Sequence, residues 1–177
     1  MRFISALLCL FTLALPALAT TEGEADSLFS QIQMGDVEAV EDTLTQDARR
    51  ARMRDRFGFE PIHVLDYTNF EEMLGLLIAH GADINATNDA GHTLLHILID
   101  PEFIAPVLAA GADIEARDAE GRTPLLLWLT EAESADMIEG LLEAGANPNA
   151  RDARGRSALD HTQDPELTHL LRAHGAT

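Results

Sequence analysis

Seven histidines and thirty carboxylates are the residues through which this 177-residue chain could do chemistry. Their most metal-like grouping is Asp160, His161, Asp164 and His169, oxygen and imidazole donors that would hold zinc if three or four converged at ~2 Å. The spacing instead scatters them around a short helix pair. A glycosidase-like carboxylate pair would need two acids fixed ~5 to 9 Å apart across a cleft, and no pair stands out. G-x-S-x-G, H-E-x-x-H, G-x-x-x-x-G-K and G-x-G-x-x-G are all missing. Lysine is absent altogether, which removes Schiff-base chemistry. The expectation is a protein that is not an enzyme and carries no cofactor and no metal. Its rivals are a histidine/carboxylate metal-dependent protein or enzyme centred on residues 155–177, and a purely structural envelope component.

Twelve basic residues, all arginine, stand against 30 acidic ones, a net charge of −18. A polyanion is repelled by such a surface, so nucleic acid is excluded as a partner. Strong net charge also keeps an apolar-rich chain soluble and monomeric. With 46% hydrophobic but only 5% aromatic residues, the core must be aliphatic and thin.

Residues 1–19, MRFISALLCLFTLALPALA, carry one charge at Arg2, an apolar run from Phe3 to Leu15 and small residues flanking Leu18. This is the pattern of a secretory signal peptide cleaved after Ala19. The run is shorter than the roughly 20 residues a bilayer span needs, so no membrane insertion is expected after cleavage. The expected location is periplasmic or secreted. Cys9 would leave with the signal, taking with it disulfides, thiolate metal sites and a cysteine nucleophile. The mature net charge would be 11 − 30 = −19. Residues 20–26, TTEGEAD, read as a flexible acidic lead-in.

The remainder is periodic. GADIN at 81, GADIE at 111, GANPN at 145 and GAT at 175 recur at intervals of 30, 34 and 30 residues, and periods of that size mean stacked units. About ten residues after the first three comes a second glycine, at 91, 121 and 155, followed by Thr93, Thr123 or Ser157 and an apolar run. Gly58 opens an earlier, weaker copy. Thr123-Pro124 and Asp100-Pro101 put a capping oxygen at N-cap and proline at N1. The GAD-type glycines sit where a helix needs a left-handed terminal residue. Pro106, about the sixth position of its helix, should kink or shorten it.

These landmarks resemble the ankyrin repeat, whose pattern runs D-x-x-G-x-T-P-L-H, helix, turn, helix, G-A-D-x-N. The resemblance covers residues 27–177 and implies an all-α solenoid of about five helix-turn-helix repeats with short β-hairpin-like fingers. The repeats would fall at about 27–57, 58–90, 91–120, 121–154 and 155–177. The first is a capping unit, SLFSQIQM and DVEAVEDTL around Gly35. It ends in RRARMRDR, Arg49 to Arg56, which reads as a solvated helix end complementing the helix dipole. By the same resemblance His63 and His96 hydrogen-bond finger backbone, His80 and His174 favour a helix C-terminus, and Trp128 fills a repeat junction. The sequon Asn85-Ala86-Thr87 reads as a chance match.

Carried over residue by residue, the family's variable concave face falls on Arg56, Phe57, Phe59, Tyr67, His92, Arg117, Arg122, Arg151, Arg154 and Arg156. Aromatics and arginine are favoured at interface hot spots. Residues 54–60, 87–92, 117–122 and 151–156 hold seven arginines and six carboxylates, net +1, leaving −20 on the rest of the mature chain. The resemblance therefore implies a monomeric interaction module of the exported compartment. It would bind, stabilise or inhibit another exported protein that presents an acidic patch.

Overall fold

The computed structural model describes residues 22–131 and 134–177, with side chains from Ser27 onward except that of Glu131. The expected signal peptide, Cys9 and the cleavage site after Ala19 lie outside these residues. Among the described residues the chain is helical, with one isolated bridge, Arg151 to Ser157, and no strand. No described helix is long and apolar enough to cross a membrane.

Helices α1 (Glu22–Gln33) and α2 (Val37–Gln46) open the stack. The first turn of α1 takes in residues 22–26, placed in the lead-in by sequence. Asp36 caps α2, accepting the Ala39 N–H at 3.1 Å. Then come α3 (Phe70–Ala79), α4 (Leu94–Ile97), α5 (Ile104–Ala109), α6 (Pro124–Glu131), α7 (Ala135–Glu143), α8 (Ala158–His161) and α9 (Pro165–Ala173). Single 3-10 turns cover Ala48–Arg52, Pro61–His63 and Pro101–Phe103.

Several first helices are shorter than a helix-turn-helix reading implies. Pro61–His63 is one turn, and α4 stops at Ile97 with Leu98 already extended, at φ −63° and ψ 126°, ahead of Asp100, which Pro101 keeps out of the helical region. Pro106 falls in the first turn of α5, where its missing N–H is least costly. The α-helical part therefore starts late, at Ile104, after the 3-10 turn. Pro106 shortens this helix, one of the two expected outcomes.

The end of each second helix from α3 onward follows one rule. At α5 the Gly111 N–H donates to Leu108 and the Ala112 N–H to Val107, at 2.9 and 3.2 Å. This is the Schellman pairing, in which two otherwise orphaned carbonyls are satisfied. It needs φ of +96° at Gly111, a region where a β-carbon meets its own carbonyl. The same two bonds recur at Gly81, Gly145 and Gly175.

Leu28, Ile32, Val40, Leu44, Leu77, Leu95, Val107, Leu125, Leu141 and Leu171 are fully buried in one continuous core. Each such side chain contributes ~1.5 to 3 kcal/mol on leaving water. Every helix packs on its own pair or the next, so stability is a sum of neighbour terms. Trp128 is buried as expected, though its indole N–H has no hydrogen-bond partner among the described residues.

Candidate protein-binding face

Four turns between the helix pairs repeat the same bonds, starting at Asp55, Asn88, Asp118 and Asp152. In each, the N–H of the first residue donates to the carbonyl four residues on, and the glycine N–H three residues on donates back. That is a three-residue hairpin closed by a residue at positive φ, such as Gly91 at +81°. The side-chain oxygen of the first residue accepts two further N–H groups. Asp118 Oδ1 takes those of Glu120 and Arg122 at 3.0 and 2.8 Å, and Asp152 Oδ1 those of Arg154 and Arg156 at 2.8 and 3.0 Å. The tips line up because each donates to the one before. Asp89 N–H reaches Phe57 O at 3.1 Å, Ala119 reaches Ala90 O at 3.0 Å, and Ala153 reaches Glu120 O at 2.9 Å.

Most finger arginines are spent holding this row. Arg117 Nη1 donates to Gly121 O in its own finger and to Arg151 O in the next, both at 2.6 Å. Arg151 repeats the first bond to Gly155 O at 2.7 Å. Arg54 makes the same pair, to Gly58 O at 3.2 Å and Thr87 O at 2.9 Å. Arg122 and Arg156 fold back on Asp118 and Asp152, at 2.7 and 2.8 Å. Arg122 is only 13% exposed, against 44% for Arg156. Arg154 is exposed and its side chain makes no hydrogen bond or ion pair among the described residues. Arg56 is exposed too, its guanidinium 4.8 Å above the Phe57 ring.

The tip row thus reads Arg56-Phe57, Asp89-Ala90, Ala119-Glu120, Ala153-Arg154. Cations stand at its two ends and carboxylates between. Phe57 is 45% exposed, whereas Phe59 is half-buried, edge-on to His63 at 5.7 Å. His92 is half-buried, stacked on His96 at 5.6 Å with Nε2 3.6 Å from Asp118. Tyr67 leaves the row altogether. It lies between the Pro61–His63 turn and α3, stacked on Phe70 at 6.1 Å and tilted against Phe103 at 5.4 Å. Nine of the ten candidates thus lie in or directly before the finger turns, and Tyr67 lies after the Pro61–His63 turn.

The histidines bind the stack together. His63 Nδ1 accepts the Glu60 N–H at 3.0 Å, which leaves the proton on Nε2 to donate to Ala86 O at 3.0 Å. His96 does likewise with Thr93 N–H and Arg122 O, at 3.1 and 3.2 Å. Burial disfavours its charged form and pushes its pKa down to about 4. His161 Nε2 sits 3.1 Å from Asp152 Oδ2. Burial alone would raise Asp152, but the backbone N–H and guanidinium of Arg156 hold it at about 2. Asp160 accepts the Ser157 N–H and hydroxyl, and Asp164 caps α9. His169 is exposed, and among the described residues no three metal-ligating side chains come together.

A further clip runs along the helix ends. Asn85 Nδ2 donates to Gly111 O at 3.1 Å while its Oδ1 accepts the Asp113 N–H at 2.8 Å. Asn149 does the same to Gly175 and Thr177, both at 2.9 Å. Arg52 reaches Gly81 O. The arginine run does not end α2, which stops at Gln46 with no basic residue in its last turn; Arg49, Arg50 and Arg52 stand instead in the last turn of the 3-10 helix Ala48–Arg52. Sequence reasoning missed Arg54 as a staple, although R-D-x-x-G at 54, 117 and 151 was there to read.

A family model for the ankyrin repeat matches residues 120–153. The chain is similar to human transient receptor potential cation channel subfamily V member 5, 51% identical over 43 residues, covering 24% of this chain and 6% of the channel. It also resembles mouse NF-kappa-B inhibitor delta, 34% over 82 residues, covering 44% and 25%. A third relative is an intracellular phospholipase A2 of Caenorhabditis elegans, 31% over 113 residues, covering 59% and 11%. The chain spans a quarter or less of the length of each. The family model identifies residues 120–153 as an ankyrin repeat, and the finger hairpins and Schellman ends of that unit recur in the units beside it.

Proposed function

We propose that the protein is a non-enzymatic interaction module of the exported compartment, which binds another exported protein through its finger tips and so stabilises or inhibits it. Ankyrin repeats are protein-interaction modules, and the coarse role follows from the family. The observation that carries the finer reading is the contrast within the finger row. Arg117, Arg122, Arg151 and Arg156 are used internally, while Arg154 makes no side-chain bond among the described residues and Phe57 lies exposed beneath Arg56. Guanidinium groups left free on a rigid row suit bidentate recognition of carboxylates. The partner's acidic patch meets Arg56 and Arg154 at the ends of the row, with Phe57 as the apolar anchor. Export rests on the apolar run and the Ala17-Leu18-Ala19 site.

Two measurements test this. Mass spectrometry of the exported protein should give an N-terminus at Thr20, and retention of Met1 would contradict export. A tagged chain should co-purify a partner from the exported fraction, and Phe57→Ala with Arg154→Glu should lose it.

A further inference from the structure

Helices α3 and α5 are the second members of two neighbouring pairs, and they leave a groove between them walled by Leu74, Ile78, Pro106 and Ala109. Its floor is open at Gly75, where an added Cβ would meet nothing within 4 Å. Glu71 borders both this groove and a second hollow formed by Tyr67, Thr68, Glu72 and Phe103. The two make one trough, apolar at one end and aromatic at the other.

The aromatic end is built rather than incidental. Phe70 and Phe103 pack at 4.3 Å and Tyr67 lies against both. The Tyr67 hydroxyl accepts the Ile99 N–H at 3.4 Å. Even so, Tyr67 remains 39% exposed and Ile99 47% exposed. Glu71 and Glu72 are exposed and make no side-chain hydrogen bond or ion pair among the described residues. The charge around them is one-sided: the sixty residues between Arg56 and Arg117 contain ten Asp or Glu and no Arg or Lys. Unopposed carboxylates beside exposed ring faces attract a cation twice, through charge and through the ring quadrupole.

We propose that this trough docks an extended cationic segment of a partner protein, seating apolar side chains over Gly75 and an arginine or lysine between Glu71, Glu72 and the Tyr67 ring. This surface is separate from the finger row and of opposite polarity, so either can fail without the other. Apolar and basic residues at every second position fit it, because in an extended segment those side chains share one face and enter the trough together.

The test uses the purified full chain and a fluorescein-labelled peptide that carries leucine and then arginine at every second position, with serine between, read by anisotropy at low salt. Counterparts carry glutamate or serine in place of arginine. The arginine peptide should bind at least about tenfold tighter than either, and weaken as salt is raised. Glu71→Arg with Glu72→Arg should cost about tenfold or more, while Glu139→Arg with Glu143→Arg, on exposed positions of α7, stays within about twofold. Gly75→Leu fills the floor and raises helix propensity. It should weaken binding about tenfold with no loss of thermal stability, which separates a blocked groove from a misfolded chain. Absence of binding, equal loss from both charge reversals, or full binding by Gly75→Leu would overturn the assignment. So would concentration-dependent self-association abolished by Glu71→Arg with Glu72→Arg, since a second copy's arginine run would then be the occupant.

Discussion

Arg122 lies folded back on Asp118, its Nε 2.7 Å from a carboxylate whose side chain has no exposed surface. The same carboxylate accepts the Glu120 and Arg122 N–H groups, so charge, turn and finger are one unit. Removing the guanidinium leaves a buried anion short of its strongest donor. Arg122→Ala should lower the unfolding free energy by about 2 kcal/mol, the scale of a hydrogen bond to a charged group. Arg154→Ala should stay within about 0.5 kcal/mol. Urea unfolding of the two variants side by side checks this contrast.

Glycines at equivalent places in two second helices should respond oppositely to a methyl group. Gly75 and Gly140 are each the sixth residue of their helix. A Cβ on Gly75 meets open space, whereas one on Gly140 would lie 2.9 Å from Ile104 Cδ1 and 3.0 Å from Pro101 Cβ. Gly75→Ala should stabilise by about 0.5 to 1 kcal/mol through helix propensity. Gly140→Ala should destabilise by about 1 kcal/mol or more, since overpacking outweighs that gain. Thermal melts distinguish the signs.

The two kinds of turn glycine differ as well. Gly111 has open space around its missing side chain, while a Cβ on Gly91 would lie 2.7 Å from the backbone nitrogen of Ala119. Gly111→Val should cost more than ~1 kcal/mol, from the left-handed backbone alone. Gly91→Ala should cost about 3 kcal/mol, because strain and a backbone clash add. Calorimetry that ranked them the other way would contradict the finger geometry.

Acid should weaken the stack through its buried histidines. His96 is held neutral by burial, at about 4 against an ordinary 6.5, with His92, Asp118 and Arg122 around it. The unfolded chain therefore binds the proton first, and stability falls as pH drops from about 6.5 towards 4. The loss is on the order of 3 kcal/mol at most, at about 1.4 kcal/mol per pH unit of displacement. His63 and His161 are also pushed down by burial. In urea midpoints taken across this window, His96→Gln should start lower and slope less than the parent.

What the sequence made legible was whatever recurs. The GAD and D-x-x-G glycines forecast the Schellman ends and finger turns, because positive φ leaves few alternatives to glycine. His63 and His96 bonded as their place in the pattern implied. The candidate face was less legible, since spacing places an arginine on a finger without saying where its guanidinium goes. Arg117 and Arg151 turned inward because carbonyls stand within reach four residues on and, for Arg117, one finger on. Tyr67 follows a single 3-10 turn, Pro61–His63, and its ring is held by Phe70 and Phe103 rather than by the fingers. The pairing of Phe103 with Tyr67 had no signal in the repeat, as neither belongs to its consensus.

The central claim is that the finger tips are the face that meets the exported partner. It is tested most directly by the association rate of the co-purified partner with the parent chain, with Phe57→Ala plus Arg154→Glu, and with Glu139→Arg plus Glu143→Arg. The finger variant should associate about tenfold more slowly, with helicity unchanged, and the parent's advantage should shrink with salt, since exposed charges beyond ~8 Å are screened at physiological ionic strength. The α7 variant should match the parent. An unchanged rate in the finger variant, or an equal loss in both, would contradict the account.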